Sequence, residues 1–329
     1  MKVFMPWYFR EFQCIAGACP DSCCKEWAVD IDPASADFYR NLTGELGDRL
    51  RSVMQTEDGF TSMVITEGRC PMWRQDGLCE LQAQLGHDAL CKTCREFPRL
   101  RHDYGDFAEL GLELSCPEAA RLILNDCDFD MICEELPGGE DPEYDREVME
   151  ILLRSRREVL EFLRREAYPL PHTLAIILLY AHDVQEEIDG GAVAVLDPEG
   201  CLADARQYAV GGKGVPVQGF FKELEILTQR WADLLDKPPM EGAWSLPLVG
   251  YFVQRYWLQA VSDFDLVCRA KLIVSACLLI HSLGDDTLSN AQLFSKEIEN
   301  DPDNVEAILD GAYSRPELTD VNLLCLLLG

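Results

Sequence analysis

Nine of the chain's fifteen cysteines lie within its first 116 residues, and eight of those form two tight groups. Cys14, Cys19, Cys23 and Cys24 make the first. Cys70, Cys79, Cys91 and Cys94 make the second, with Cys116 close behind in Ser115-Cys116-Pro117-Glu118. Thiolates are soft donors, and a zinc or iron–sulfur centre takes about four of them. Short spacings supply them readily. Cys91-Lys-Thr-Cys94 offers two sulfurs from one turn, and Cys19 and Cys23, four apart, share a face if their segment is helical. Cys24 then points elsewhere. Nine thiols suffice for two four-coordinate sites, or for one site with structural thiols beside it. Spacing alone does not separate zinc from an iron–sulfur cluster such as 4Fe-4S.

A disulfide framework needs an oxidising compartment. The opening MKVFMPWYFREFQC is broken by Arg10 and Glu11 before any apolar run forms, so no export signal is expected. The apolar run Leu272–Leu283 is too short to span a bilayer and reads as a buried helix. A cytoplasmic protein with reduced thiols is the expectation. Cys127, Cys133, Cys201, Cys268, Cys277 and Cys325 stand outside the groups. Cys268 and Cys277 read as small core residues. His87 and His102 flank the second group, and surface roles suit them better than ligation.

Fifty-eight acidic and 29 basic residues give a net charge of −29. That field repels nucleic acid and anionic membranes, favours solubility, and would attract a lysine-bearing surface. Between Ile65 and Arg101, however, six basic residues face five acids. Cations there would stabilise thiolates. They would also hold the carboxylate or phosphate of a small ligand, which makes Arg95 and Arg99, with Trp27 as an aromatic surface, candidates for cofactor binding.

The elements that must position these groups predict a mainly α protein: a loop-rich, cysteine-cluster metal-binding N-terminal region, 1–136, packed on a larger helical domain, 143–329. The break is Leu136-Pro-Gly-Gly-Glu-Asp-Pro142. In the first part, helix is expected over 34–54 and 80–85, closed by Gly86. Extended chain is expected over 59–70, and a helix opening on Pro117. In the second, 3.6-residue periodicity predicts helices over 146–165, 172–188, 220–235, 246–261, 263–283, 291–299, 305–309 and 316–328. Gly211-Gly212-Lys213-Gly214 reads as a flexible loop.

The order of motifs resembles the flagellin lysine-N-methylase family, FliB, and the YkgJ-type zinc- or iron-chelating cysteine-cluster proteins. The matching residues are Phe12-Gln-Cys14, Cys19-Pro-Asp-Ser-Cys23-Cys24 with Trp27 and Asp30-Ile-Asp32, Cys70-Pro71, Gly77-Leu-Cys79, Leu90-Cys-Lys-Thr-Cys94, Phe97-Pro-Arg99, and Leu114-Ser-Cys116-Pro-Glu-Ala-Ala120. The resemblance covers residues 7–124. It implies methyl transfer from S-adenosylmethionine to lysines of flagellin, with a cysteine-held metal or iron–sulfur centre.

No Gly-x-Gly-x-Gly loop follows a strand, so the common nucleotide-fold methyltransferase site is not expected. The cysteine spacing also departs from the C-x3-C-x2-C of radical enzymes, with Glu26 where a third cysteine would stand. A neutral amine attacks a sulfonium methyl directly, given an acceptor for its proton. Asp30, Asp32 and Glu118 are candidates. Helix capping for Asp32 and a first-turn position for Glu118 are the structural alternatives. Two other functions fit the same cysteines: a non-catalytic, metal-stapled protein-binding module, and a redox iron–sulfur protein.

Overall fold

A computed structural model describes residues 1–27, 29–209 and 212–329. Its strands are β1 (Lys2–Pro6), β2 (Val29–Ile31), β3 (Met54–Glu57), β4 (Phe60–Met63), β5 (Arg99–Asp103), β6 (Phe107–Leu112) and β7 (Met131–Glu135). They form a four-stranded sheet, β5-β6-β1-β7, and a three-stranded sheet, β2-β4-β3. In the larger, β1 runs parallel to β6, with Lys2 opposite Phe107, and antiparallel to β7, with Lys2 opposite Glu135. In the smaller, β3 and β4 close on Asp58-Gly59. Both residues have positive φ, 50° and 88°, as a two-residue hairpin turn with right-handed strand twist requires.

The remaining architecture is helical, as the periodicity predicts. Leu170–Ile188, Leu246–Tyr256, Pro302–Ser314 and Asp320–Leu328 surround Leu266–Ser282, and Arg146–Arg164 packs outside them on the first two. Every residue from Leu266 to Ile280 is buried, including Cys268 and Cys277. A helix apolar on all sides needs neighbours on all sides. Among the described residues no helix is long and apolar enough to cross a membrane.

Several boundaries differ from expectation. The segment 34–54 is two helices, Pro33–Asn41 and Glu45–Val53, parted at Gly44 with φ 88°. The segment 220–235 is likewise two, Gln218–Phe221 and Gln229–Leu235. Pro198–Tyr208 and the four-stranded sheet were not predicted. Strands β5 and β7 are short and half exposed, and β1 finds its partners about a hundred residues away, so local periodicity carries little of that sheet. Gly211, in the expected flexible loop, lies outside the described residues.

Two cores result. The larger runs from Tyr8, Phe12 and Leu114 through Ile123 to Trp257, Leu279 and Leu324, crossing the 136–142 break. The smaller, within the cysteine-rich region, joins Val29, Ile31, Tyr39, Leu50, Met63, Met72 and Leu81 with Cys70 and Cys91.

One irregularity gathers charged side chains in the interior. Helix Thr287–Phe294 continues as a π-helical turn, Ser295–Glu299, whose five residues are all buried. The extra residue in the turn brings Lys296, Glu297 and Glu299 inside together, where α-helical spacing would leave one facing out.

Candidate thiol centre and adjoining cleft

The two cysteine groups are brought together by backbone pairing. The Cys70 N–H donates to the Cys24 carbonyl at 2.8 Å and the Glu26 N–H to that of Gly68 at 2.8 Å, with Lys25 opposite Arg69. Cys79 returns beside Trp73, and the Glu80 N–H donates to Met72 O at 2.8 Å. Gly77, at φ 80°, makes the turn between them. Cys19 and Cys23 do not share a helix face. A single 3₁₀ turn, Ala16–Ala18, precedes them, and the chain from Cys19 to Cys24 is irregular.

Cys79, Cys91 and Cys116 each precede the first residue of a short helix: Glu80–Leu85, Lys92–Glu96 and Pro117–Ile123. Free backbone N–H groups therefore point at sulfur: Leu81 and Gln82 at Cys79, Cys94 at Cys91, Glu118 and Ala119 at Cys116. These bonds favour thiolate, while burial opposes it. Burial prevails at Cys79, and at Cys116 it pushes the thiol up to about 11.

The thiols also bond to each other. Cys24 accepts from Cys23 and Cys70, which draws its pKa well down and raises theirs. Cys91 is lowered by Cys94 in the same way, and Cys94 is raised. Charge coupling connects Cys23 to Cys14 and Cys116, Cys79 to Cys24 and Cys91, and Cys116 to Cys19. All nine thus share one neighbourhood, and none is in a disulfide. The sulfurs interact in small sets. Among the described residues no group of three or more Cys, His, Asp or Glu side chains is gathered in a way that could hold a metal ion. By donor type, though not by convergence, nine unpaired thiols with backbone N–H groups aimed at several of them fit a zinc or iron–sulfur centre.

A cleft of 330 Å³ opens beside them. Cys23 and Cys94 stand on its wall with Trp27, Phe97, Arg99, Glu113 and Asn300. Trp27 meets Phe97 edge to face at 5.1 Å, and its indole N–H donates to the Cys23 carbonyl at 2.7 Å. The cleft's aromatic wall is thereby fixed to the cysteine loop. Arg99 lies over the Phe12 ring at 5.2 Å. Glu113 accepts from Ser115 Oγ at 3.0 Å, and burial raises its pKa against the opposing effect of Arg255.

Of the residues singled out from sequence, Trp27 and Arg99 line this cleft, and Arg95 instead turns its guanidinium towards the Leu90 carbonyl at 3.4 Å. Asp30, Asp32 and Glu118 are not on its wall. Asp30 is exposed on β2. Asp32 caps Pro33–Asn41 by accepting from Ser35 N at 3.0 Å, and its other oxygen accepts from Lys92 N at 2.8 Å. These bonds lower its pKa to about 2. Glu118 is paired with Arg121 through two hydrogen bonds, 2.7 and 2.9 Å. Sequence reasoning passed over Glu113 and Asn300. Glu113 had one signal, an acid between Leu112 and Leu114, both buried. Asn300 depends on the π-turn and had none.

Over 145 residues, 41% of its length, the chain is 31% identical to proteins named Lysine-N-methylase from Salmonella typhimurium and Salmonella choleraesuis. The match spans 35% of the length of each of those proteins. Over 138 residues it is 32% identical to Flagellar biosynthetic protein FliU of Salmonella muenchen, and that match spans 80% of FliU. No family model matches the chain. No solved structure matches it.

Proposed function

The chain belongs to the flagellin lysine-N-methylase family, and from that premise we propose that it transfers a methyl group from S-adenosylmethionine to lysine side chains of flagellin. The observation that carries the reading is the 330 Å³ cleft, which lies within the range of small-molecule sites and joins Trp27, Phe97 and Arg99 to Cys23 and Cys94. S-adenosylmethionine is an adenine, a ribose, a sulfonium and an amino-acid carboxylate. The Trp27–Phe97 pair offers aromatic faces for the first and cation–π contact for the third. Arg99 offers a planar fork for the carboxylate. Asn300 offers an amide for the ribose or amino acid.

Bound there, the donor would supply an electrophilic methyl group to a neutral amine. The protein's part is to orient the two and exclude water. The cysteines around Cys23 and Cys94 would hold an iron–sulfur cluster or zinc ion, whose first contribution is to fix the loop that carries Trp27. A cluster rather than zinc is distinguished by absorbance near about 400 nm and acid-labile sulfide after anaerobic purification.

The test is titration calorimetry of the anaerobically purified protein with S-adenosylmethionine, alongside mass analysis of flagellin after incubation with both. Saturable binding, weakened about tenfold or more in Trp27→Ala and Arg99→Gln, and mass gains of one methyl group are expected. Flagellin binding without binding of S-adenosylmethionine would reject the enzyme and leave a protein-binding module.

A further inference from the structure

A second pocket, of 180 Å³, lies against this cleft, lined by Trp27, Glu225, Lys296, Glu297, Asn300 and Asp301. Trp27 and Asn300 line both cavities, so one indole and one amide stand between them. A two-substrate transfer needs two ligands that reach a common point from separate sites.

The pocket differs from the cleft in charge. Its wall carries three carboxylates and one ammonium, and that ammonium has partners of its own. Lys296 Nζ lies 2.7 Å from Glu26 Oε2 and 3.2 Å from Asp21 Oδ2, and 5.9 Å from the centre of the Trp27 ring. An alkylammonium is thus already held between indole and carboxylates here. Of the pocket's own acids, Glu225 is exposed, Asp301 uses one oxygen for its helix cap, and Glu297 accepts from Leu227 N and Thr228 Oγ1, so their negative charge remains to attract another. The Asn300 amide nitrogen, on the shared wall, is buried with no hydrogen-bond partner. A buried donor left without an acceptor is costly, and a ligand atom at that wall would relieve it.

We propose that the 180 Å³ pocket admits the lysine side chain of the protein substrate, so that its nitrogen meets the methyl group at the Trp27–Asn300 wall. The proposal rests on the reading of the adjoining cleft as the methyl-donor site. The lysine ammonium first gives its proton to a pocket carboxylate, of which Glu297 is the buried one. The nitrogen lone pair then forms the N–C bond as the donor's C–S bond breaks, and that electron pair stays on sulfur. Sulfonium becomes thioether, and amine becomes methylammonium.

Glu225 and Asp301 allow a clean test. Glu225 is exposed, and it supports the fold through backbone bonds to Asn304 that a side-chain change leaves alone. Asp301 caps Pro302–Ser314, a role asparagine also fills. In the full-length chain, the E225Q/D301N double variant is expected to weaken flagellin binding about tenfold by calorimetry, a loss of about 1.4 kcal/mol. KM for flagellin should rise to match, with the S-adenosylmethionine Kd unchanged within about twofold. The control is E150Q/E161Q, which removes two exposed acids of helix Arg146–Arg164, away from the pocket.

Unchanged flagellin binding in a variant with wild-type circular dichroism, or an equal loss in the control, would overturn the proposal. If wild-type protein bound flagellin but not S-adenosylmethionine, the methyl-donor reading would fail. The affinity difference between the variants would still decide whether lysine enters this pocket.

Discussion

Tyr39 and Leu279 are both fully buried, yet they sit in cores of different kinds. Leu279 belongs to a helix covered on every side, in a core that takes in most of the chain. Tyr39 belongs to a small core in which Cys70 and Cys91 are themselves packing residues, and its hydroxyl donates across the region to Ala89 O at 2.7 Å. The first kind of core holds mainly by apolar area, with buried ion pairs such as Arg156–Glu109 and Arg255–Glu299 inside it. The second has too little area and relies on cross-links: strand-like pairing at 24–26 and 68–70, the Asp32 cap, and the thiols. The cysteine-rich third is therefore held by different means from the helical remainder.

The largest expected effect breaks this comparison or secures it. Cys23→Ser or Cys94→Ser should abolish metal binding and open the first third to proteolysis, since metal-binding energy in such a region is folding energy. Cys277→Ser, in the covered helix, should keep full metal content and lose only packing. Metal analysis with limited proteolysis reads both quantities. Equal metal loading in the three variants would show that the grouped thiols are packing residues like Cys277.

A smaller effect is expected where the two regions meet. Lys296 is 4% exposed and belongs to the helical half, yet its partners Asp21 and Glu26 flank Cys23 and Cys24. Gln292 adds a bond from the same side, donating to Asp21 Oδ2 at 3.0 Å and to Ser115 O at 2.8 Å. Lys296→Met leaves Glu26 without its cation and Asp21 with only Lys25, 3.8 Å away. Removing one partner of a buried pair costs about 3–5 kcal/mol, and the partial exposure of Asp21 and Glu26 places this case near about 3. Lys296→Arg should recover part of it. Denaturant unfolding followed through the cysteine-rich third should show the loss. If that third unfolds at the same midpoint in Lys296→Met, the seam carries no such energy.

The same contrast explains what could be read in advance. Helices such as Arg146–Arg164 and Leu170–Ile188 declare themselves because each buries one long face, and periodicity records that face. The cysteine groups declare themselves by residue type, but residue type left open whether they serve one site or two, and of the cofactor candidates Arg95, Arg99 and Trp27 only the last two line the cleft. What stayed hidden depends on distant partners. β1 pairs with β6 across about a hundred residues, and Glu299 is buried because Tyr251, Tyr256 and Arg255 come to meet it. Asn300 reaches the cleft only because a π-turn shifts the register ahead of it. Two of the carboxylates singled out from sequence, Asp32 and Glu118, were ones local structure had already claimed.

Asp32 gives the smallest effect and the finest test of how the cysteine-rich third is held. One carboxylate oxygen caps Pro33–Asn41, and the other accepts from Lys92, beside Cys91, so a single side chain ties the chain after the first cysteine group to the middle of the second. Both bonds favour the ionised form and lower its pKa from the ordinary 3.8 to about 2. A carboxylate depressed on folding contributes stability above its unfolded pKa, and that contribution is lost as pH falls through the folded one. The window is therefore from about pH 4 down to about pH 2, and nothing should change near neutrality. Asp32→Ala should cost about 1 kcal/mol at neutral pH, the usual worth of a cap, and Asp32→Asn should keep most of the cap. Hydrogen exchange should register the loss at the Ser35 and Lys92 amides together. Faster exchange at Ser35 alone would mean that the two cysteine groups are joined by the thiols and the 24–26 pairing without help from this carboxylate.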